Sequence, residues 1–384
     1  MTNAQLHHFR DFRFCDSHFH YTYPETLDTM TDIMEEFRHY FSLERMGLMA
    51  LSRTDERPFD PTCNVTGLYL KEFFNRKHPG STYIYGNPIH RFDGTDSADG
   101  YLAQAERLYR MGVDGYKLLD GKPENRKQLG RPLCDPIFDK MYGFMEETGM
   151  PLVMHTADPR MFWKEKSQVL PEHLARGWWY GDKGYLSFEQ LHEEVYGILE
   201  KFPKLKFRAA HFFFLSDDVE ELTRFFERWE NTSVDLTPAM MNLVDITHAP
   251  DIWKPFFEKY RHRIFFGSDN YLDTRTRNYV AQHHTCQCTM LRQTLEHKPE
   301  EAFSCNSGEI IPLDLPNDIL EDIYYNNYAR LHPQPRPVDG QLILEEVRTL
   351  LDGMENRTIP IDKDADYSVE LANLRQIWNY FSNQ

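Results

Sequence analysis

No stretch of about 18 consecutive apolar residues occurs in the 384-residue sequence, so no membrane-spanning helix is expected. The opening residues, MTNAQLHHFRDF, have no apolar core of the kind a secretory signal carries. Cysteine is sparse. The six residues Cys15, Cys63, Cys134, Cys286, Cys288 and Cys305 fall at irregular spacings. They form no disulfide framework, a chain this long can build a core without one, and a reduced, cytoplasmic setting is expected. Positive charge is in deficit too. With 43 Lys and Arg against 60 Asp and Glu, the net charge is −17. That argues against nucleic acid or an anionic membrane as partner, because both reward a basic face. A glycine-rich phosphate turn after the first strand is missing as well, and Asp16-Ser17-His18-Phe19-His20 stands in its place. What is plentiful is histidine, with 17 residues, alongside 14% aromatics.

Short β-rich runs alternate with helical patterns along the chain. Eight candidate strands end near Cys15, Leu51, Tyr85, Leu119, Met154, Ala210, Leu236 and Phe266. Several are continuous apolar runs, as expected of strands buried on both faces. Between them lie helix starts: Asp135-Pro136, a capping box of Ser187 with Gln190, and Ser216 ahead of Phe225, Phe226 and Trp229. Eight β-α repeats predict an α/β fold, a closed (β/α)8 TIM barrel spanning residues 1–335. An inserted loop, 159–186, follows strand 5 and is dense in aromatics. It reads either as a lid over the site or as an excursion with its own small core. A second insertion, 271–315, follows strand 8, with a helix expected over 278–295. Residues 336–384 read as a helical C-terminal extension packed on the barrel, with helices near 340–354 and 367–382.

The chemistry is concentrated at strand ends. In Asp16-Ser17-His18-Phe19-His20 the two imidazoles lie two apart on an extended strand, so both reach one ion. A single His-x-His pair is expected by chance about 0.75 times in such a composition and alone says little. The case comes from the other strands: the fifth closes with His155, the sixth with His211 and the eighth with Asp269. In a barrel these positions open on one mouth. Imidazoles with a carboxylate suit Zn²⁺ or another divalent first-row ion, and a further imidazole is left for acid–base work. Arg53 after the second strand, and His90 with Arg91 after the third, stand where a substrate carboxylate could be clamped. Trp163 in the aromatic loop is a candidate wall of the same pocket. Asp235, within the seventh strand, reads as structural. His283, His284, Cys286 and Cys288 fall on a predicted helix whose positions two apart diverge, which disfavours a second metal site there.

DSHFH on the first strand, GYKL on the fourth, MHTAD on the fifth, AHFF on the sixth and FFGSD on the eighth resemble the amidohydrolase superfamily. Within it, the chain is similar to the branch that includes aminocarboxymuconate semialdehyde decarboxylase. The likeness runs from about residue 12 to 335. It implies that His18, His20, His155 and Asp269 hold a metal, and that His211 and Asp269 are catalytic. It also implies one ion, Zn first and Mn second, and a homodimer. Lys117 stays open. Carboxylated, it would bridge two ions, with His155 and His211 on the second. Otherwise it is a cation paired with Asp16 or Asp269, or one that binds a substrate carboxylate. The Glu-bearing motif of TatD-like nucleases and the HAGE motif of adenosine deaminases are both lacking.

The resemblance implies a metal-dependent hydrolase acting on a small amide, ester or lactone. An ion in such a site lowers the pKa of water from about 15.7 toward about 7. Asp269 would take and return the proton, and His211 would steady the oxyanion. The alternative keeps the site and changes the reaction to non-hydrolytic decarboxylation or hydration of an aromatic or unsaturated carboxylic acid.

Overall fold

In the computed structural model the chain is described at residues 2–21, 25–52, 59–89, 96–182, 184–238, 240–359, 361–362 and 364–383. The eight expected strands form: β1 (Cys15–His20), β2 (Arg45–Met49), β3 (Thr82–Gly86), β4 (Gly115–Gly121), β5 (Leu152–Thr156), β6 (Phe207–Ala209), β7 (Thr232–Asp235) and β8 (Ile264–Phe265). Each pairs in parallel with the next in chain order. Nearly every strand residue is buried, which is why the strands read as apolar runs rather than as alternation.

The ring closes just beyond β8. Ser17 N donates to Phe266 O (3.0 Å), Asp269 N to His18 O (3.0 Å) and His20 N to Asn270 O (2.8 Å). The bonds that shut the barrel therefore also set Asp269 beside His18 and His20. This is the (β/α)8 architecture expected from the sequence, with helices following the strands around the outside.

Local signals held where they had a capping group to supply. Ser187 and Gln190 form both bonds of the capping box on the helix Phe188–Lys201. Asp135 caps the turn Pro136–Phe138 that leads into Asp139–Thr148. Ser216 does not cap the next helix. Asp218 accepts from Glu221 N and starts Val219–Arg228, while the Ser216 hydroxyl is spent on Asn242 and Asp245. The single helix expected over 278–295 is two, Thr274–His283 and Gln287–Glu296, broken where His284 turns left-handed (φ 53°).

The 159–186 segment folds into short turns and a five-residue helix around a cluster of aromatic rings. The tail forms Gly340–Glu355 and Ser368–Ser382, which pack on each other and on the helices that follow β2 and β3. Asn373 stitches this pair to the barrel: its side chain accepts from Leu27 N (3.1 Å) and donates to Glu25 O (2.9 Å). Among the described residues no helix is long and apolar enough to cross a membrane.

One buried ion pair joins these layers. Lys71 Nζ lies 2.7 Å from Asp114 Oδ2 and donates to Gly112 O at 2.6 Å. Asp114 also accepts from Ile84 N and from Arg336 N, on the approach to the tail. Removing one member leaves the other charge buried and alone. Asp114→Ala is expected to lose about 3–5 kcal/mol of stability in urea unfolding. A loss below about 1 kcal/mol, the scale of an exposed pair, would show that the pair does not carry this role.

Candidate metal centre

β1 presents His18 and His20 on one side, while Phe19 points outward to Phe37. The two Nε2 atoms stand 3.2 Å apart. Asp269 follows β8 in a left-handed turn (φ 59°), a conformation Asp tolerates better than most residues. Its Oδ1 comes to 3.0 Å from His20 Nε2 and 3.7 Å from His18 Nε2. Gly267 permits this approach, since a Cβ there would stand 2.8 Å from His18 Cβ and 2.9 Å from Thr237 Cγ2.

The donor count explains the cluster. His18 Nδ1 faces Asp235 Oδ2 (3.0 Å), which puts that ring's hydrogen on Nδ1, and His20 Nδ1 faces Met49 O (3.3 Å) and can carry its hydrogen there in the same way. With that tautomer both Nε2 lone pairs and the Asp269 oxygen are acceptors pointed at one another, with the Lys117 ammonium reaching only His18 Nε2 (3.3 Å), an arrangement that suits a divalent cation. Ligand atoms about 2.0–2.2 Å from a tetrahedral ion stand about 3.3–3.6 Å apart. The observed 3.0, 3.2 and 3.7 Å bracket that spacing. His18, His20 and Asp269 thus fit a divalent ion, and among the described residues they form the one group of three His, Cys, Asp or Glu side chains close enough to hold one.

His155, on β5, sits beside this trio but is turned from it. Its ring is 4.6 Å from that of His211, and its Nε2 faces Asp158 Oδ1 at 3.2 Å. His211 opens a left-handed turn in which it, Phe212, Phe213 and Phe214 all have φ between 51° and 58°. Its backbone N donates to Asp235 Oδ1 (2.9 Å) and Thr237 Oγ1 (3.0 Å), and its carbonyl accepts from Asn242 (2.8 Å). Burial, then the neighbouring His155, pushes the His211 imidazole down to about 4. Burial followed by the charge of Lys117 holds His18 and His155 well below the ordinary histidine value. All three rings are neutral near pH 7.

Lys117, on β4, is buried with Nζ 3.3 Å from His18 Nε2. Desolvation lowers its amine to about 8, against the pull of Asp235 and Asp269. Of its two expected partners, Asp16 is otherwise engaged. The Asp16 carboxylate accepts from His18 N and from Ser268, and burial raises it to about 7.

Trp163 lies in the inserted segment, its indole N–H given to Leu186 O (2.8 Å) and its ring packed on Tyr180 and Phe188. Arg53, His90 and Arg91 lie outside the described residues. His283 and His284 are exposed while Cys286 and Cys288 are buried, so the four do not converge.

The residue that sequence reasoning undervalued is Asp235. It is fully buried and bonds the His18 ring, the His211 backbone and the Thr237 hydroxyl. Burial works against its charge, but contact with His18 and the Arg208 guanidinium 3.8 Å away hold it well below the ordinary carboxylate range. Asp235 is the last residue of β7, but the sequence pattern puts it inside its strand, whereas His155 and Asp269 follow their apolar runs.

Two outcomes follow from this geometry. Asp235→Asn cannot hold His18 in the same tautomer with the same charge, so metal affinity, read by chelator competition, is expected to fall about 10–100-fold. Unchanged affinity would remove Asp235 from the centre. In chelator-treated protein the His211 ring, followed by imidazole NMR, is expected to protonate near pH 4 rather than 6.5. Because the unfolded chain takes that proton first, the stability His211 contributes is lost as pH falls from 6.5 through 4. A midpoint at 6.5 would contradict the buried, neutral ring.

Comparison with known proteins bears on the whole arrangement. No curated protein matches the sequence. Similar solved structures include a Staphylococcus aureus protein provisionally named an amidohydrolase, with 14% identity and a TM-score of 0.50, over 83% of this chain and 99% of that one. The 4-oxalomesaconate hydratase of Rhodopseudomonas palustris is similar at 13% identity and TM-score 0.48, over 90% and 99%. The 5-carboxyvanillate decarboxylase of Sphingomonas paucimobilis is similar at 11% identity and TM-score 0.46, over 84% and 100%. These likenesses concern the fold. The sequence profile of the amidohydrolase family matches residues 87–333, more than half of the chain and ending just before the tail helices. With that match, the chain belongs to the amidohydrolase family.

Proposed function

We propose that this chain is a metal-dependent lyase that decarboxylates or hydrates a small aromatic or unsaturated carboxylic acid. The observation that carries the reading is the charge around the trio. Lys117 Nζ stands 3.3 Å from His18 Nε2, and an amine lowered only to about 8 is still largely an ammonium at neutral pH. The His18, His155 and His211 imidazoles are neutral, and Asp235 is balanced by Arg208. A divalent ion on His18, His20 and Asp269 would have one carboxylate, Asp269, among these ligands, which offsets only half of its charge. An anionic carboxylate relieves that excess, whereas a neutral amide or ester leaves it uncompensated.

A divalent ion bound there supplies Lewis acidity, polarising a coordinated oxygen. The protein's own groups do the rest. Asp235 fixes His18 in the tautomer that offers Nε2, and His20 can offer its own in the same way. Lys117 steadies negative charge on the substrate. Asp269, partly open to the mouth with its side chain 21% exposed, is placed to hand a proton to or from the reacting carbon or a water. His211, neutral, can accept or share a proton beside it.

Hydrolysis of an amide, ester or lactone is the second reading. It draws on the same observation about Asp269, which could deprotonate a water as readily as it returns a proton to carbon. Product analysis separates the two: the proposal expects carbon dioxide release or water addition from unsaturated or aromatic acids, and cleavage of neutral amides or esters alone would reject it. Metal content by mass spectrometry is expected at about one ion per chain, unchanged in Lys117→Ala. About two ions, falling in the variant, would make Lys117 a carboxylated bridge and His211 a ligand.

A further inference from the structure

The inserted segment after β5 reaches the site through one hydroxyl. Tyr180 is 1% exposed, its backbone N bonded to Phe162 O (2.8 Å) and its ring packed on Trp163 and Tyr185. The phenol lies 2.6 Å from Glu124 Oε1 and 2.8 Å from Asp158 Oδ2. Glu124 is in the first turn of the helix Pro123–Leu129, directly after β4. Asp158 stands just past the end of β5, and its other oxygen is the one that faces His155 Nε2 at 3.2 Å. A single hydroxyl thus joins the insertion to two neighbouring strand ends and, through Asp158, to a histidine of the mouth.

Hydrogen counting orders this chain. A phenol has one hydrogen, yet Tyr180 sits between two carboxyl groups, so one of them must bring a proton of its own. Glu124 is the one that can. Its Oε2 is buried with no partner, and burial, aided by Asp158, raises its pKa against Lys122. Glu124 then donates to the Tyr180 oxygen, Tyr180 donates to Asp158, and His155 Nε2–H donates to Asp158 from the other side.

We propose that Tyr180 is a positioning residue: it latches the 159–186 segment onto the barrel by bridging Glu124 and Asp158, and through Asp158 it sets the tautomer and direction of the His155 ring. The proposal rests on His155 belonging to the site and not on which reaction runs there.

The test compares Tyr180→Phe with Glu124→Gln in the full chain. Phe keeps the ring and loses the bridge, whereas the Gln amide can still donate to the phenol as a protonated Glu does. Trypsin cleavage at the exposed Lys164, Lys166 and Arg176 is expected to speed up about tenfold in Tyr180→Phe and to stay near wild type in Glu124→Gln. In chelator-treated protein the His155 ring N–H resonance, assigned by its loss in His155→Gln, is expected to shift or vanish in the Phe variant and to persist in the Gln variant. Co²⁺ affinity, read from the visible spectrum, is expected to stay near wild type in both variants, because His155 lies outside the His18, His20 and Asp269 trio. Faster cleavage with an unchanged His155 resonance would reduce Tyr180 to a loop anchor and overturn the proposal. Unchanged cleavage and resonance would overturn it too. Should Tyr180→Phe not fold, Glu124→Leu cuts the other end of the bridge and must move cleavage and the His155 signal in the same direction. If wild type bound no Co²⁺, the metal reading would fall while cleavage and the His155 resonance still decided this one.

Discussion

The Asp235 carboxylate is a fully buried anion, and the centre is organised by what it takes to keep it there. A charge in such a place is tolerated when its lone pairs are filled. Asp235 fills them with the His18 ring, the His211 backbone and the Thr237 hydroxyl, and Arg208 lies close enough to balance its charge. Each of those bonds positions something. The first turns His18 Nε2 toward His20 and Asp269. The second pins the start of the turn that carries His211. The third fixes the chain beyond β7 where Gly267 lets β8 come close. β1, β6, β7 and β8 are thereby tied at one point, and the histidines they carry inherit a common geometry.

Much of this was legible in the sequence, because barrel strands are short and buried on both faces. Each shows as an apolar run, and the first polar residue after the run marks the mouth. That rule placed His18, His20, His155, His211 and Asp269 together at one end, where the structure has them. It could not say which way a ring faces. His155 turns its Nε2 to the Asp158 carboxylate three residues on, and only the folded backbone reveals that. Asp235 escapes the rule because its strand reads through to Leu236, and a carboxylate inside a strand reads as packing until its partners are seen. The break at His284 was hidden because a left-handed residue that is not Gly leaves little trace in helical periodicity.

Two buried cations near the site stand against the charge of the chain as a whole. The molecule is acidic overall, with a net charge of −17, yet Lys117 and Arg208 lie inside the barrel and both are buried. Their carboxylate counterparts are committed to hydrogen bonds with the barrel walls. An acidic surface does not draw anions in by long-range attraction. For the proposed carboxylate substrate, selectivity would belong to the last few ångströms of the approach, where solvent is thin and the buried cations are felt.

The left-handed turn at His211–Phe214 bears on how the centre comes into being. Four consecutive non-glycine residues in this conformation cost about 1–2 kcal/mol each, so the turn has no stability of its own. What holds it is the burial of three phenylalanine rings and the bonds from Asp235, Thr237 and Asn242. His192, on the helix before β6, bonds Phe213 O at 3.0 Å, while the three bonds to His211 itself come from residues on or after β7. During synthesis His211 emerges before them, and no local preference of the chain can place it. The bonds that fix His211 require β7 docked beside β6, so the placement of this histidine is coupled to assembly of the second half of the barrel.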